Sequence, residues 1–256
     1  MMSALVDQLV AQVLGLEVRL LACQARLQAV TDTEALHDLR TTVRRLRSLL
    51  RALRGLPGVE QLEAAASAVG QLTTPLRDRE VLAAYLHQHD YHQAAERRTT
   101  GLADEYRTVA AGSELKQLLL VLDAFPRFLR AAQRQELLCG LRKRIEKRLA
   151  KQWTALDQAL HDPAHDRHRL RLLIKRVRYA AEAYPELAAL SPKAVSHLKA
   201  AQGALGDWHD CWQWLAQAER QADLLPCVPV WHATMHKAEA RADRVLDKLS
   251  AACFRS

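Results

Sequence analysis

The sequence predicts an all-α protein: two antiparallel helical bundles, related by a pseudo-twofold axis, from an internal duplication. Three observations predict it. Hydrophobic side chains make up 49% of the 256 residues, enough for a packed core, yet aromatics are only 5% and Ala, Leu, Arg and Gln abound. That is a helix-forming composition. Runs of Val, Ile and Thr with period-2 alternation are missing, so no sheet is expected. Finally, a basic stretch led by histidine occurs twice.

Gly and Pro cut the chain into helix-length pieces. The opening MMSALVDQLVAQVLGLEVRLLACQ has no basic leader and carries Asp7, Glu17 and Arg19 at helical spacing. It reads as an amphipathic helix over about 3–30, not a signal peptide. A second helix is expected over 33–54, with Asp32 or Thr33 as its N-cap. GLPG at 55–58 precedes a helix over 59–72, and TTP at 73–75 is expected to break the chain before helices at 76–90 and 92–111. Gly112-Ser113 starts a further piece with Pro126 near its middle. A long helix is expected over 134–160, then HDPAHD at 161–166, then a helix over 165–184. Beyond YPEL, Ser191 caps a helix over 192–204 with Pro192 in its first turn. LGD at 205–207 is expected to end that helix, with others at 207–224 and 228–252 separated by LPCVP. No apolar run approaches the roughly 18 residues of a membrane span. Five scattered cysteines with no CxxC pair read as reduced, mostly buried thiols of a cytoplasmic protein.

The charge is concentrated. The stretch HDLRTTVRRLRSLLRALR, residues 37–54, holds six Arg and one Asp, or +5; residues 168–184 hold five Lys or Arg and one Glu, or +4. Against a total of +8, the remaining chain sums to −1. In the first stretch His37, Arg40, Arg44, Arg47, Arg51 and Arg54 recur every three or four residues. On a helix they fall within an arc of roughly 100°. Leu39, Val43, Leu46, Leu50 and Leu53 run alongside. Like charges at this spacing repel, so an anionic partner is the simplest compensation.

The second stretch, HRLRLLIKRVRYAAEAY, aligns with the first at an offset of 131. His168, Arg171, Lys175, Arg176 and Arg178 fall under His37, Arg40, Arg44, Arg45 and Arg47. The apolar rows match too, and LRDREVL (76–82) meets WHDCWQW (208–214) one residue out of step. The duplicated units span roughly 1–112 and 134–256 of a single domain covering 3–252. Such units commonly pack about a pseudo-twofold axis, which would set the two basic helices across a shared groove or pore.

The motif H-x-x-R-x-x-x-[RK]-R-x-R, present twice, with KRVRYAAE and LKAAQGALGDWHD (198–210) closing the second copy, resembles the CHAD family of histidine-containing α-helical domains. The resemblance covers nearly the whole chain. It implies two helical bundles around a basic central cavity and binding of inorganic polyphosphate, often at polyphosphate granules, without enzymatic activity. It points to His37, Arg40, Arg44, Arg45 and Arg47, and to His168, Arg171, Lys175, Arg176 and Arg178. Lys199 and Gln202 match the family's K-x-x-Q. The first copy departs from the pattern, with Ser67 and Gly70 where Lys and Gln would stand and Thr74 in place of the turn glycine.

A polyphosphate offers charge and oxygens but no bases and no apolar face. Arg grips phosphate oxygens with a planar fork, and Arg51 prolongs the first rail. The histidines are either proton-switched contacts or hydrogen-bonded struts. Arg144, Lys147 and Lys151 share a face that extends the site or is simply solvated. The last helix alternates Lys and Arg with acids and reads as a salt-bridged surface. Trp208, Trp212 and Trp214 read as core, and Asp78 and Asp210 as residues that orient ridge arginines or cap a helix. Neither cofactor nor metal is expected: five HD dipeptides are scattered, and arginines beside His37 would repel a cation. A metal-dependent phosphohydrolase is therefore the weaker alternative. RNA binding is disfavoured because Tyr179 is the only aromatic on either ridge. An acidic-protein scaffold is the remaining alternative.

Overall fold

The computed structural model describes residues 2–188 and 190–253. Among them there is no strand. Eleven α-helices follow in order: α1 Met2–Ala29, α2 Ala35–Leu53, α3 Val59–Gln88, α4 His92–Thr99, α5 Leu102–Ala111, α6 Ser113–Arg134, α7 Leu141–Leu160, α8 Arg167–Ala183, α9 Pro185–Ala188, α10 Pro192–Ala218 and α11 Val228–Cys253. A 3-10 turn, Ala222–Cys227, joins the last two. None of the described helices is long and apolar enough to cross a membrane. The chain divides into two compact units at Ile145 and Glu146, inside α7.

In the first unit α2 packs on α1 and α3, and α6 packs on the same two helices. The seam of α1 is Val6, Leu9, Val13, Leu16, Leu20, Cys23 and Leu27, all buried at three- and four-residue steps. Leu39, Val43, Leu46, Leu50 and Leu53 of α2 are buried against it, as the sequence pattern requires. Each buried Leu contributes about 1.5–3 kcal/mol, so this seam decides which way α2 faces.

In the second unit α10 packs on α8 and α11. Leu170, Ile174 and Val177 of α8 join Leu198, Ala201 and Leu205 of α10 and Leu246 and Leu249 of α11 in one core, with Leu156 and Ala159 from α7. Trp231 is fully buried and lies 5.5 Å, centroid to centroid, from Trp214.

Two expected breaks are absent and one expected helix is broken. The chain runs through TTP as one helix, α3, with Pro75 inside it. Pro costs a helix interior about 3 kcal/mol. Here Thr73 and Thr74 donate their hydroxyls to the carbonyls of Val69 (2.7 Å) and Gly70 (2.8 Å), and Thr73 and Leu76 are buried. The LGD site is likewise interior to α10. Leu205 is fully buried, and a lone Gly costs a helix only about 1 kcal/mol. Conversely, 134–160 is not one helix. α6 ends at Arg134, and a turn with Glu136 (φ 58°) and Gly140 (φ 70°) in the left-handed region precedes α7.

The capping residues also sort out. Ser191 accepts from the Ala194 amide (3.1 Å) as expected. Asp32 and Thr33 do not cap α2, whose N-cap is Glu34 without a side-chain bond. Asp32 pairs with Arg26 instead (2.6 Å). Asp166 caps α8, accepting from the amides of His168 (2.9 Å) and Arg169 (3.1 Å). Cys23, Cys211 and Cys227 are buried thiols and Cys139 is an exposed one; the Cys253 side chain lies outside the described residues.

Candidate functional site

The first ridge stands on α2 beside α3. Arg40 lays one guanidinium nitrogen, Nη1, onto three neutral oxygens of α3: the Gly70 carbonyl (3.1 Å), Thr73 Oγ1 (2.9 Å) and Thr74 Oγ1 (3.1 Å). Arg44 donates to the Arg40 carbonyl (3.3 Å) and to Thr41 Oγ1 (2.9 Å), and Thr41 in turn lies 3.5 Å from His37 Nε2. Asp38, the one acid in the stretch, faces away and pairs with Arg26 of α1 (2.7 Å). Arg54 is tied to Glu63 of α3. The electrostatics follow. Burial, then the charge of Arg44, pulls the Arg40 pKa down. His37 is lowered by burial, then by Arg77 and Arg44. Two acids also act on Arg40, Asp78 and Glu80, and Glu80 pairs with Arg77 (2.8 Å).

The second ridge stands on α8 beside α10. Arg178 donates Nε to Gln202 Oε1 (2.6 Å), pairs with Glu182 and covers the Tyr179 ring with its guanidinium carbon 4.4 Å from the centroid. At the other end the rings of His168 and His209 are 5.6 Å apart. His209 is buried, and its Nδ1 has no hydrogen-bond partner among the described residues. Burial above all, then Arg171, His168 and Lys175, brings its pKa down to about 4.

The expected residues do not all gather. His37, Arg40, Arg44, Arg47 and Arg51 are half-buried along one face of α2, and Arg171, Lys175 and Arg178 along one face of α8; His168 is exposed. Arg45 and Arg176 are exposed, about 130° round their helices from the middle of each ridge. Gln202 joins the second ridge through Arg178, while Lys199 is exposed one turn earlier on α10. Arg144, Lys147 and Lys151 are exposed. Asp78 acts on Arg40 through its charge. The last helix is salt-bridged, but to other helices: Asp243 to Arg167 (2.8 Å) and Arg241 to Asp207 (2.6 Å). Trp214 is core, whereas Trp208 is half-buried and Trp212 is 52% exposed. Two site residues were missed, Arg77 and His209. They occupy equivalent places in LRDREVL and WHDCWQW, and each sits beside its unit's motif histidine. Among the described residues no group of three or more His, Cys, Asp or Glu is placed to hold a metal ion.

The CHAD domain family model matches residues 13–219, a span holding both ridges. The chain belongs to the CHAD domain family. Its fold is similar to the crystal structure of the CHAD domain from the plant Ricinus communis, with a TM-score of 0.70 at 22% identity over 98% of this chain and 92% of that one. No curated protein matches the chain.

Within this CHAD domain the two ridges differ at one informative place. Gln202 holds Arg178, but Gly70 stands at the matching point of α3. Arg47 Nη1 lies 3.6 Å from where a Gly70 Cβ would be, and Arg47 Nε is buried with no hydrogen-bond partner among the described residues. Gly70→Gln should therefore stabilise the protein by about 1–2 kcal/mol, from removal of a helical glycine and a new bond to Arg47. Urea unfolding measures it; a loss of stability would show that the space is not there.

His209 makes stability pH-dependent with a defined sign. Its folded-state pKa of about 4 lies below the ordinary 6.5. Between these values the unfolded chain binds the extra proton, so stability falls as pH drops through the window. The full effect is on the order of 3 kcal/mol. His209→Gln should flatten the fall in urea midpoint between pH 6.5 and about 4 relative to the parent; equal slopes would contradict it.

Proposed function

We propose that this CHAD domain binds inorganic polyphosphate through the ridges of α2 and α8 and carries out no catalysis. His37, Arg40, Arg44, Arg47 and Arg51 form one rail and His168, Arg171, Lys175 and Arg178 the other, in two units read as copies of one design. Arg45, Arg176, Lys199 and Gln202 act at the margins. The observation that carries this is the bonding of Arg40, whose hydrogen bonds all go to neutral oxygens, with Asp78 and Glu80 acting on it only through their charge. His37 and His209 have pKa values lowered by burial first and by neighbouring cations second. A polyanion would supply the missing charge with many charge-assisted hydrogen bonds. The cations of a ridge advance roughly 5 Å per residue along the axis, which suits a thin flexible chain. A cytoplasmic place at polyphosphate granules follows from this reading.

Binding would be driven largely by counterion release, so affinity should fall steeply and linearly with salt on logarithmic axes. A salt titration with long-chain polyphosphate, with RNA of matched charge as competitor, tests it. Arg44→Glu and Lys175→Glu should each weaken binding at least tenfold (roughly 1.4 kcal/mol) and flatten the salt slope, with the fold retained by circular dichroism. Salt-insensitive binding, or RNA displacing polyphosphate at equal charge, would count against the proposal.

A further inference from the structure

The His168 end of the second ridge holds an aromatic surface that inorganic phosphate does not need. α8 and α10 run antiparallel: Arg178 meets Gln202 at one end (2.6 Å) and His168 meets His209 at the other, with rings 5.6 Å apart. Trp212 lies one turn beyond His209 on α10, and the two rings stack with centroids 5.8 Å apart and planes 17° from parallel. Trp208 flanks His209 at 6.2 Å. Of the unit's indoles, Trp231 is 0% and Trp214 8% exposed and Trp153 and Trp208 are half-buried, while Trp212 is 52% exposed. His209, only 8% exposed, keeps an Nδ1 with no hydrogen-bond partner among the described residues. On α8, Arg171 and Lys175 continue the face of His168 over two turns, about 10 Å. Asp166 caps α8 at this end, accepting from the His168 amide (2.9 Å), and Asp207 of α10 is held by Arg241 (2.6 Å).

We infer that this end of the ridge takes a nucleoside polyphosphate, with the phosphates on Arg171 and Lys175 and the base stacked on Trp212. The inference rests on the phosphate-binding reading of the ridge and adds the base. Stacking suits an indole because every base offers a π-face to it. Trp212 is already backed by the His209 ring, so its orientation is set before a ligand arrives. An inorganic chain would leave that indole unused.

Calorimetry on the full chain with magnesium-free ATP, tripolyphosphate and adenosine tests it. ATP should bind about tenfold tighter than tripolyphosphate, the order of gain expected from one base–aromatic stack. Trp212→Ala should bring ATP down to the tripolyphosphate affinity and leave tripolyphosphate unchanged. Trp212→Phe should keep most of the preference, and circular dichroism checks that both variants fold. Lys175→Glu should weaken ATP and tripolyphosphate together. ATP binding no tighter than tripolyphosphate, a preference surviving Trp212→Ala, or an RNA oligonucleotide outcompeting ATP would each overturn the nucleotide assignment and leave the ridge standing. Failure of ATP, tripolyphosphate and long-chain polyphosphate alike would sink the ridge with it.

Discussion

The structure turns on a row of cations that must share one face of α2. Their mutual repulsion costs about 0.2–0.5 kcal/mol per i,i+4 pair. It cannot rotate the helix away, because the same helix buries Leu39, Leu46, Leu50 and Leu53 at about 1.5–3 kcal/mol each. Apolar burial fixes the ridge and the charges must accept the position. The acids near them are divided: Asp38 pairs with Arg26 of α1, Glu63 with Arg54 at the end of the row, and Glu80 with Arg77. What remains for Arg40 is the neutral oxygens of a threonine-rich turn. Those threonines also return their hydroxyls to the Val69 and Gly70 carbonyls in the turn before Pro75.

The two units meet this constraint with different residues. In the first, Arg77 adds a further positive charge beside His37, and Gly70 leaves the Arg47 Nε unanchored. In the second, a neutral His209 stands beside His168, and Gln202 and Glu182 restrain Arg178. The first ridge therefore has the more cationic histidine end and a freer Arg47. The second has a tethered arginine at one end and an aromatic shelf at the other.

Much of this was legible in the sequence. The three- and four-residue recurrence of Leu and Arg defined the seam and ridge of α2, and the repeat at an offset of 131 located α8 and the family. Helix breaks were less legible. Pro75 and Leu205-Gly206-Asp207 look like stops, yet burial of Thr73, Leu76 and Leu205 holds the helices through them. The turn before α7 was hidden because only Gly140 marks it, while Glu136 adopts its positive φ without an announcing residue type. Within the site, helical spacing already separates Arg45 and Arg176 from the ridges, but a shared motif had grouped them together. His209 and Arg77 lie on the partner helices, so only packing shows them beside His168 and His37. Trp212 read as core because a helical Trp usually is, yet it is 52% exposed.

The central claim is that the ridges are short of negative charge and that a bound anion supplies it. Proton uptake on binding reads this directly, because an anion beside His37 and His209 must raise the pKa values that burial and the neighbouring cations depress. Long-chain polyphosphate is the ligand to use, since its internal groups stay ionised and its few ends contribute little. Titrations at about pH 5.5 in buffers of different ionisation enthalpy should show net uptake of protons, reduced in His209→Gln. Binding with no net uptake, or with release, would mean that the anion does not reach the ridges.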